Sequence, residues 1–226
     1  MESTLLTLTR DTVLAWIKHY ADVIAENRQW LTDLDAAIGD GDHGANMERG
    51  FRAVAGKLPA LADADIGAIF KTVGMTLLST VGGASGPLYG TFFLQAAQPL
   101  AGKTELALPD WVTAVEMGVN GVVKRGRAEV GEKTMVDALI PALDALKAAA
   151  QDGAEWQPAA RRAAEAARQG ALSTVPLVAR KGRASYLGER SAGHQDPGAT
   201  SAFLLFDALA RILAGAPAAS RRAHAA

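Results

Sequence analysis

From Thr72 to Gly102 the chain carries no charged side chain, and this stretch sets the first limit on what it can fold into. It is longer than the roughly 20 apolar residues that a membrane-spanning helix needs. Its middle, however, holds Gly82, Gly83, Ser85, Gly86 and Pro87, residues that break a continuous apolar rod into two. The stretch reads as two short helices around a glycine turn, buried as a hairpin inside a globular fold and not laid across a bilayer.

The remaining sequence supplies partners of the same kind. Val13, Leu14, Trp16, Ile17, Tyr20, Val23 and Ile24 share one face at helical spacing. Alanine-rich segments such as AEWQPAARRAAEAARQGAL favour helix, and no convincing run of alternating β-branched residues argues for strand. The spacing predicts helices near 9–30, 45–58, 63–80, 87–100, 109–125, 133–151, 156–174 and 197–214. Their connectors include a Leu-Pro-Ala link near Pro59, a Gly-Lys-Thr-Glu link at 102–105 and a long loop over 176–196. Asp196 and Pro197 are suited to open the last helix, the first as a cap and the second through its fixed φ. No fixed-period repeat stands out, so the expected fold is all-α, an eight-helix up-and-down bundle in one domain over 1–214. Residues 215–226 are too poor in large apolar side chains to pack and read as a frayed tail.

Composition excludes several classes of function. At 226 residues with 49% hydrophobic and 21% charged residues, the chain can bury one substantial core. Lys and Arg total 23 against 24 for Asp and Glu, so no global field marks it for nucleic acid or an anionic membrane, and any phosphate recognition must be local. With no cysteine, disulfides, thiolate metal sites and cysteine nucleophiles are excluded together. Arg10 and Asp11 interrupt the beginning too early for a secretory signal, and a cytoplasmic protein is expected.

The sharpest chemical feature is the stretch DAAIGDGDHGAN. Asp35 ends the first helical region, and Asp40 and Asp42 follow in a loop made turn-prone by Gly39, Gly41 and Gly44. Three carboxylates this close repel one another unless a cation neutralises them or one holds a proton. Oxygen ligands suit a hard ion, and Mg²⁺ held by few carboxylates completes its shell with water and phosphate oxygens. In isolation an Asp-Gly-Asp is more often a turn or cap. A calcium loop of EF-hand type fails, because counting from Asp40 puts Phe51 where a bidentate Glu is required. His43, Gly44, Ala45 and Asn46 then lead into a helix whose free N–H groups attract anions. His43 can donate to a phosphate oxygen, although a lone histidine is as often a packing residue.

Three further loops have weaker signals. STVGGASGPLYGTFF joins two helices through a turn whose amides can converge on an anion, with a hydroxyl from Ser85 and a helix opened by Pro87. It is neither a Walker loop nor a Rossmann fingerprint, and tight helix packing at glycine explains it equally well. NGVVKRGRAEVGEKTMVDAL carries Gly126, Gly131 and Met135, the last a core residue or a cover for a purine face. RKGRASYLGERSAGHQDPGATS offers Arg183 for a ribose or phosphate contact and Asp196-Pro197-Gly198 at a helix start, while Arg180, Lys181 and Arg190 fit an ordinary solvated loop. In an up-and-down bundle the connectors after helices 1, 3, 5 and 7 lie on one face. These four segments occupy those connectors.

Together DAAIGDGDHGANMERGF, TVGGASGPLYGTFF, GEKTMVDAL and KGRASYLGERSAGHQDPGATS resemble the nucleotide-binding L subunit of dihydroxyacetone kinase, in family order and over about residues 10–213. The resemblance implies an eight-helix antiparallel barrel with a nucleotide, ADP or ATP, and two Mg²⁺ ions at one end. It implies metal binding by Asp35, Asp40 and Asp42. It implies nucleotide contacts at His43, Gly44, Ala45, Asn46, Ala84, Ser85, Gly126, Met135, Arg183, Asp196, Pro197 and Gly198.

In that family the sugar is held covalently on a histidine of a partner K subunit, for which this chain has no room. The expected activity is therefore that of a phosphotransferase subunit in glycerol metabolism, with no covalent nucleophile of its own. Separate-subunit bacterial forms commonly have bound ADP rephosphorylated by a phosphotransferase-system protein, and the stand-alone length favours that arrangement. The alternatives are an L-type subunit of an ATP-dependent kinase for another small keto-sugar, a nucleotide-state-dependent adaptor that grips a transcription regulator, and the related nucleotide domain of fatty-acid kinases. No nucleic-acid or membrane partner is expected.

Overall fold

The computed structural model describes residues 7–215. Its elements are nine α-helices: α1 Arg10–Glu26, α2 Arg28–Ile38, α3 His43–Lys57, α4 Ile66–Thr80, α5 Ser85–Ala97, α6 Leu108–Gly126, α7 Val136–Gln151, α8 Trp156–Ser173 and α9 Pro197–Leu213. One short antiparallel pair, β1 Leu8–Thr9 with β2 Glu105–Leu106, ties the beginning of α1 to the α5–α6 connector. The segment expected as a tail lies, beyond Gly215, outside the described residues.

The eight long helices are those expected from spacing, and they close into a ring. From α3 to α9 each helix packs on the next, and α1 completes the circle by packing against both α9 and α3. The fold is all-α, an antiparallel barrel. The segment expected as one helix over 9–30 is broken at Asn27, whose side chain donates to the Val23 carbonyl at 2.8 Å and so competes with the helix ladder. The chain restarts as α2, which lies outside the ring against α3 and α9 and extends to Ile38. That extension brings Asp35 to the end of the barrel.

Aromatic side chains fill the ring. Trp16 meets Trp111 edge-on at 5.4 Å between ring centroids and donates its indole N–H to the Leu205 carbonyl at 2.9 Å. Tyr20 stands edge-on to Phe51 at 4.6 Å, and Phe70 and Phe93 join the same buried group. The uncharged stretch forms the end of α4, the turn and α5, packed on each other as the expected buried hairpin. The helices come close at Gly74, where a Cβ would lie 2.9 Å from the Gly90 carbonyl. Among the described residues no helix is long and apolar enough to cross a membrane.

Candidate active site

Four loops meet at one end of the barrel and enclose a cleft of about 410 Å³. They are the α2–α3, α4–α5, α6–α7 and α8–α9 connectors, the set that helix counting put on one face. Acidic and glycine-rich loops form one side, with Asp35, Asp40, Asp42, Gly83 and Ser85. Leu88, Val122, Ala128, Met135 and Val136 supply apolar surface for a flat ring.

One carboxylate oxygen from each of Asp35, Asp40 and Asp42 lies within 4.8 Å of the other two, a spacing that a single hard cation can bridge. Asp35 Oδ2 accepts from the amides of Asp42 at 2.8 Å and His43 at 3.0 Å, fixing the loop. Gly39 explains itself here, since a Cβ would come within 2.3 Å of Asp35 Oδ1. Arg183, reaching across from the α8–α9 connector, pairs with Asp40 at 2.9 Å. The donor set and its crowding therefore fit Mg²⁺.

Comparison with known proteins agrees with this arrangement. Residues 37–211 match the family described as the DAK2 domain. The chain belongs to this family. It is 48% identical over 205 residues to the Escherichia coli protein named PEP-dependent dihydroxyacetone kinase, ADP-binding subunit DhaL, covering 91% of this chain and 98% of that one. The Lactococcus lactis protein named PTS-dependent dihydroxyacetone kinase, ADP-binding subunit DhaL, is 42% identical, with 92% and 100% covered. Among solved structures, the C. freundii dihydroxyacetone kinase in complex with AMP-PNP and Mg²⁺ superposes at a TM-score of 0.70 with 28% identity over 93% of this chain. The chain spans only 36% of that longer kinase. The four motifs thus belong to the DhaL branch that they resemble.

The other residues expected from the DhaL resemblance divide into two groups. His43, Ala84, Ser85, Gly126, Met135, Arg183, Asp196, Pro197 and Gly198 line the cleft. Gly44, Ala45 and Asn46 lie behind it in the first turn of α3. A Cβ at Gly44 would sit 2.0 Å from the Arg28 carbonyl, so this glycine lets α2 and α3 touch. The buried Asn46 side chain accepts from Arg49 at 2.6 Å and packs beneath Gly82. In this turn the amides of Asp42, His43 and Asn46 are hydrogen-bonded, whereas those of Gly44 and Ala45 have no acceptor among the described residues.

Burial sets the protonation of the cleft's inner groups. It pushes the His43 imidazole down to about 4, against the opposing pull of Asp35 and Asp42, so the ring is neutral at pH 7. It pushes the Asp196 carboxyl up to about 7, although Asp196 also caps α9 by accepting from the Ala199 amide at 2.7 Å.

Sequence reasoning gave no role to Lys133, Asp137, Tyr89 or Ser201. Lys133 is fully buried and adopts φ +63°. Its ammonium donates to the Thr174 carbonyl at 2.6 Å and to the His194 carbonyl, tying the α6–α7 connector to both ends of the α8–α9 connector. Burial lowers its pKa, with Asp196 and Asp137 opposing. Asp137 accepts from the amides of Gly131 at 2.5 Å and Thr134 at 2.7 Å, shaping the turn before α7. A lysine ahead of a helix normally reads as surface; only its contacts mark it as internal.

Proposed function

We propose that this chain is the ADP-binding subunit of a dihydroxyacetone kinase, one nucleotide-binding domain that presents a phosphoryl group to dihydroxyacetone held by a K subunit. The observation that carries the reading is the convergence of three aspartates, the glycine turn that opens α5 and an apolar wall in one cleft. The near full-length match to DhaL subunits of PEP- and PTS-dependent kinases supports it.

Asp35, Asp40 and Asp42 hold Mg²⁺, with two ions expected by resemblance. When bound, Mg²⁺ offsets the negative charge of the phosphates and of the group in transfer. The chain's own residues then position the nucleotide. The start of α5 at Ala84 and Ser85 receives phosphate oxygens, and the free amides of Gly44 and Ala45 add the positive end of α3 from behind the cleft. Met135, beside Gly198, covers the base, and Gly126 lines the same cleft next to Leu88. Asp196 and Pro197 bound the cleft at the start of α9. Arg183, exposed and paired with Asp40, is free to move onto a phosphate. No side chain here needs to form a covalent intermediate.

The donor is a phosphotransferase-system protein acting on ADP that stays bound. A second reading, an L-type module of an ATP-dependent keto-sugar kinase, draws support from 37% identity to the Mycolicibacterium smegmatis L-erythrulose 1-kinase, of which this chain spans 34%. Mass spectrometry of the purified protein separates the two: retained ADP is expected, and empty protein that exchanges ATP freely favours the second. With a dihydroxyacetone-loaded K subunit added, phosphate must reach the sugar. Nucleotide-dependent capture of a transcription regulator with no transfer to any keto-sugar would replace both readings by the adaptor role.

A further inference from the structure

A hydrogen-bond chain leads from the barrel core to the phosphate side of the cleft. Tyr89 Oη lies 2.8 Å from Ser201 Oγ. Ser201 Oγ lies 3.0 Å from His43 Nε2, and His43 Nδ1 lies 3.0 Å from Ser85 Oγ. Tyr89, Ser201 and His43 are buried, while Ser85 is half-buried on the cleft wall. Tyr20 gives its own proton to the Ser201 carbonyl at 3.0 Å and so has none for Tyr89, whose bond is with Ser201 Oγ at 2.8 Å.

The direction of the chain follows from counting protons. The Ser201 hydroxyl can donate to His43 Nε2 at 3.0 Å or to the Gly198 carbonyl at 3.1 Å. That carbonyl faces the amide of Ala202 one turn further along α9. The Pro197 carbonyl also lies near the His43 ring, but Ser201 Oγ is the hydrogen-bond partner at Nε2, and with the Gly198 carbonyl already served by an amide the Ser201 proton goes to Nε2. The imidazole then carries its hydrogen on Nδ1 and donates to Ser85 Oγ. A protonated ring would carry a hydrogen there too, so this end of the chain does not depend on ring charge. With its oxygen receiving from His43, Ser85 turns its own hydrogen toward the cleft. A phosphate oxygen can only accept; a lone pair presented there would repel it.

The geometry points to Ser201 and Tyr89 as positioning residues that lock the His43 ring with its hydrogen on Nδ1, so that Ser85 donates to a phosphate of the bound nucleotide. This rests on the nucleotide reading above. Ser201 does not line the cleft, and Tyr89, whose side chain borders it, has its hydroxyl engaged with Ser201; both act on the phosphate through His43.

The test pairs ring spectroscopy with binding. Long-range ¹H–¹⁵N correlation of the imidazoles, with His43 assigned by His43→Gln, should give the Nδ1–H pattern in the wild type. Ser201→Ala should shift it toward Nε2–H and weaken Mg·ADP binding, measured by titration calorimetry, by about tenfold, as expected for one charged hydrogen bond. Ser201→Thr should restore both. In a Ser85→Ala background, Ser201→Ala should cost no further affinity. Should Ser201→Ala fail to fold, Tyr89→Phe carries the test, with a smaller loss in the same direction that is again absent in Ser85→Ala. An Nε2–H pattern in wild-type protein that binds Mg·ADP normally overturns the relay alone, as does a loss that persists undiminished without Ser85. Wild-type protein that binds no Mg·ADP overturns the nucleotide reading itself.

Discussion

Two groups of acids lie at the same end of the barrel and are held in opposite ways. Asp35, Asp40 and Asp42 crowd their oxygens together at the α2–α3 loop, where two amides bind one oxygen of Asp35 and the exposed Arg183 is the one cationic side chain paired with the group among the described residues. Asp137 and Asp196 are buried beside the Lys133 ammonium, and their oxygens are met by the amides of Gly131, Thr134 and Ala199. The first group leaves charge open at the surface; the second closes it within the fold. Open charge costs the free protein stability and is useful only when a cation arrives. Closed charge holds backbone segments in place and has nothing left to offer a metal. Acid content alone therefore does not identify the metal site, whereas unsatisfied acid content does.

The largest effect should come from Asp42→Asn. It should abolish Mg²⁺-dependent nucleotide binding and phosphoryl transfer while helical circular dichroism stays unchanged. Because it removes one of three like charges, the metal-free variant should unfold at the same denaturant concentration as wild type or a higher one. Retained Mg·ADP binding in calorimetry, or a marked fall in stability, would erase the contrast between the two groups.

Lys133→Met tests the closed group. It leaves two buried acids without their cation and frees the carbonyls of Thr174 and His194. Unfolding in urea should show a loss of about 2–4 kcal/mol, because two buried carbonyls each lose a charged donor. The backbone strain at φ +63° is the same for both residues and cancels. A loss below about 1 kcal/mol would mean that the two connectors are held together by packing alone.

The two groups were also unequally legible in the sequence. Spacing alone gave the helical class, the hairpin at 72–102 and the common face of four loops, because apolar periodicity and glycine breaks are local properties. It put one helix over 9–30, since the competition between Asn27 and the Val23 carbonyl leaves no mark on hydrophobic spacing. It also left the loop over 176–196 irregular, where residues Arg183–Ser191 form 3-10 turns kinked at Gly188. The open acids could be found because their signal is three aspartates among glycines. Lys133 could not: its role depends on Thr174 and His194, 41 and 61 residues away. Ser201 and Tyr89 are likewise joined to His43 only by the fold.

The smallest effect, and the one that divides the cleft most finely, is on pH. Asp196 has its folded pKa raised from 3.8 to about 7, so its contribution to stability is present below pH 4 and is lost as pH rises toward 7. His43 has its folded pKa lowered from 6.5 to about 4, so its contribution is present above pH 6.5 and is lost as pH falls toward 4. The windows nearly coincide and the slopes oppose. Asp196 has the larger shift, so the pair leaves a net fall of only about 1 kcal/mol from pH 4 to 7. Replacing one member should unmask the other. In metal-free protein, and relative to wild type, the stability of Asp196→Asn should rise with pH across this window, whereas that of His43→Gln should fall more steeply. If both variants keep the wild-type pH profile, the two side chains are better solvated than their burial implies, and the closed group is closed by hydrogen bonds and not by exclusion of water.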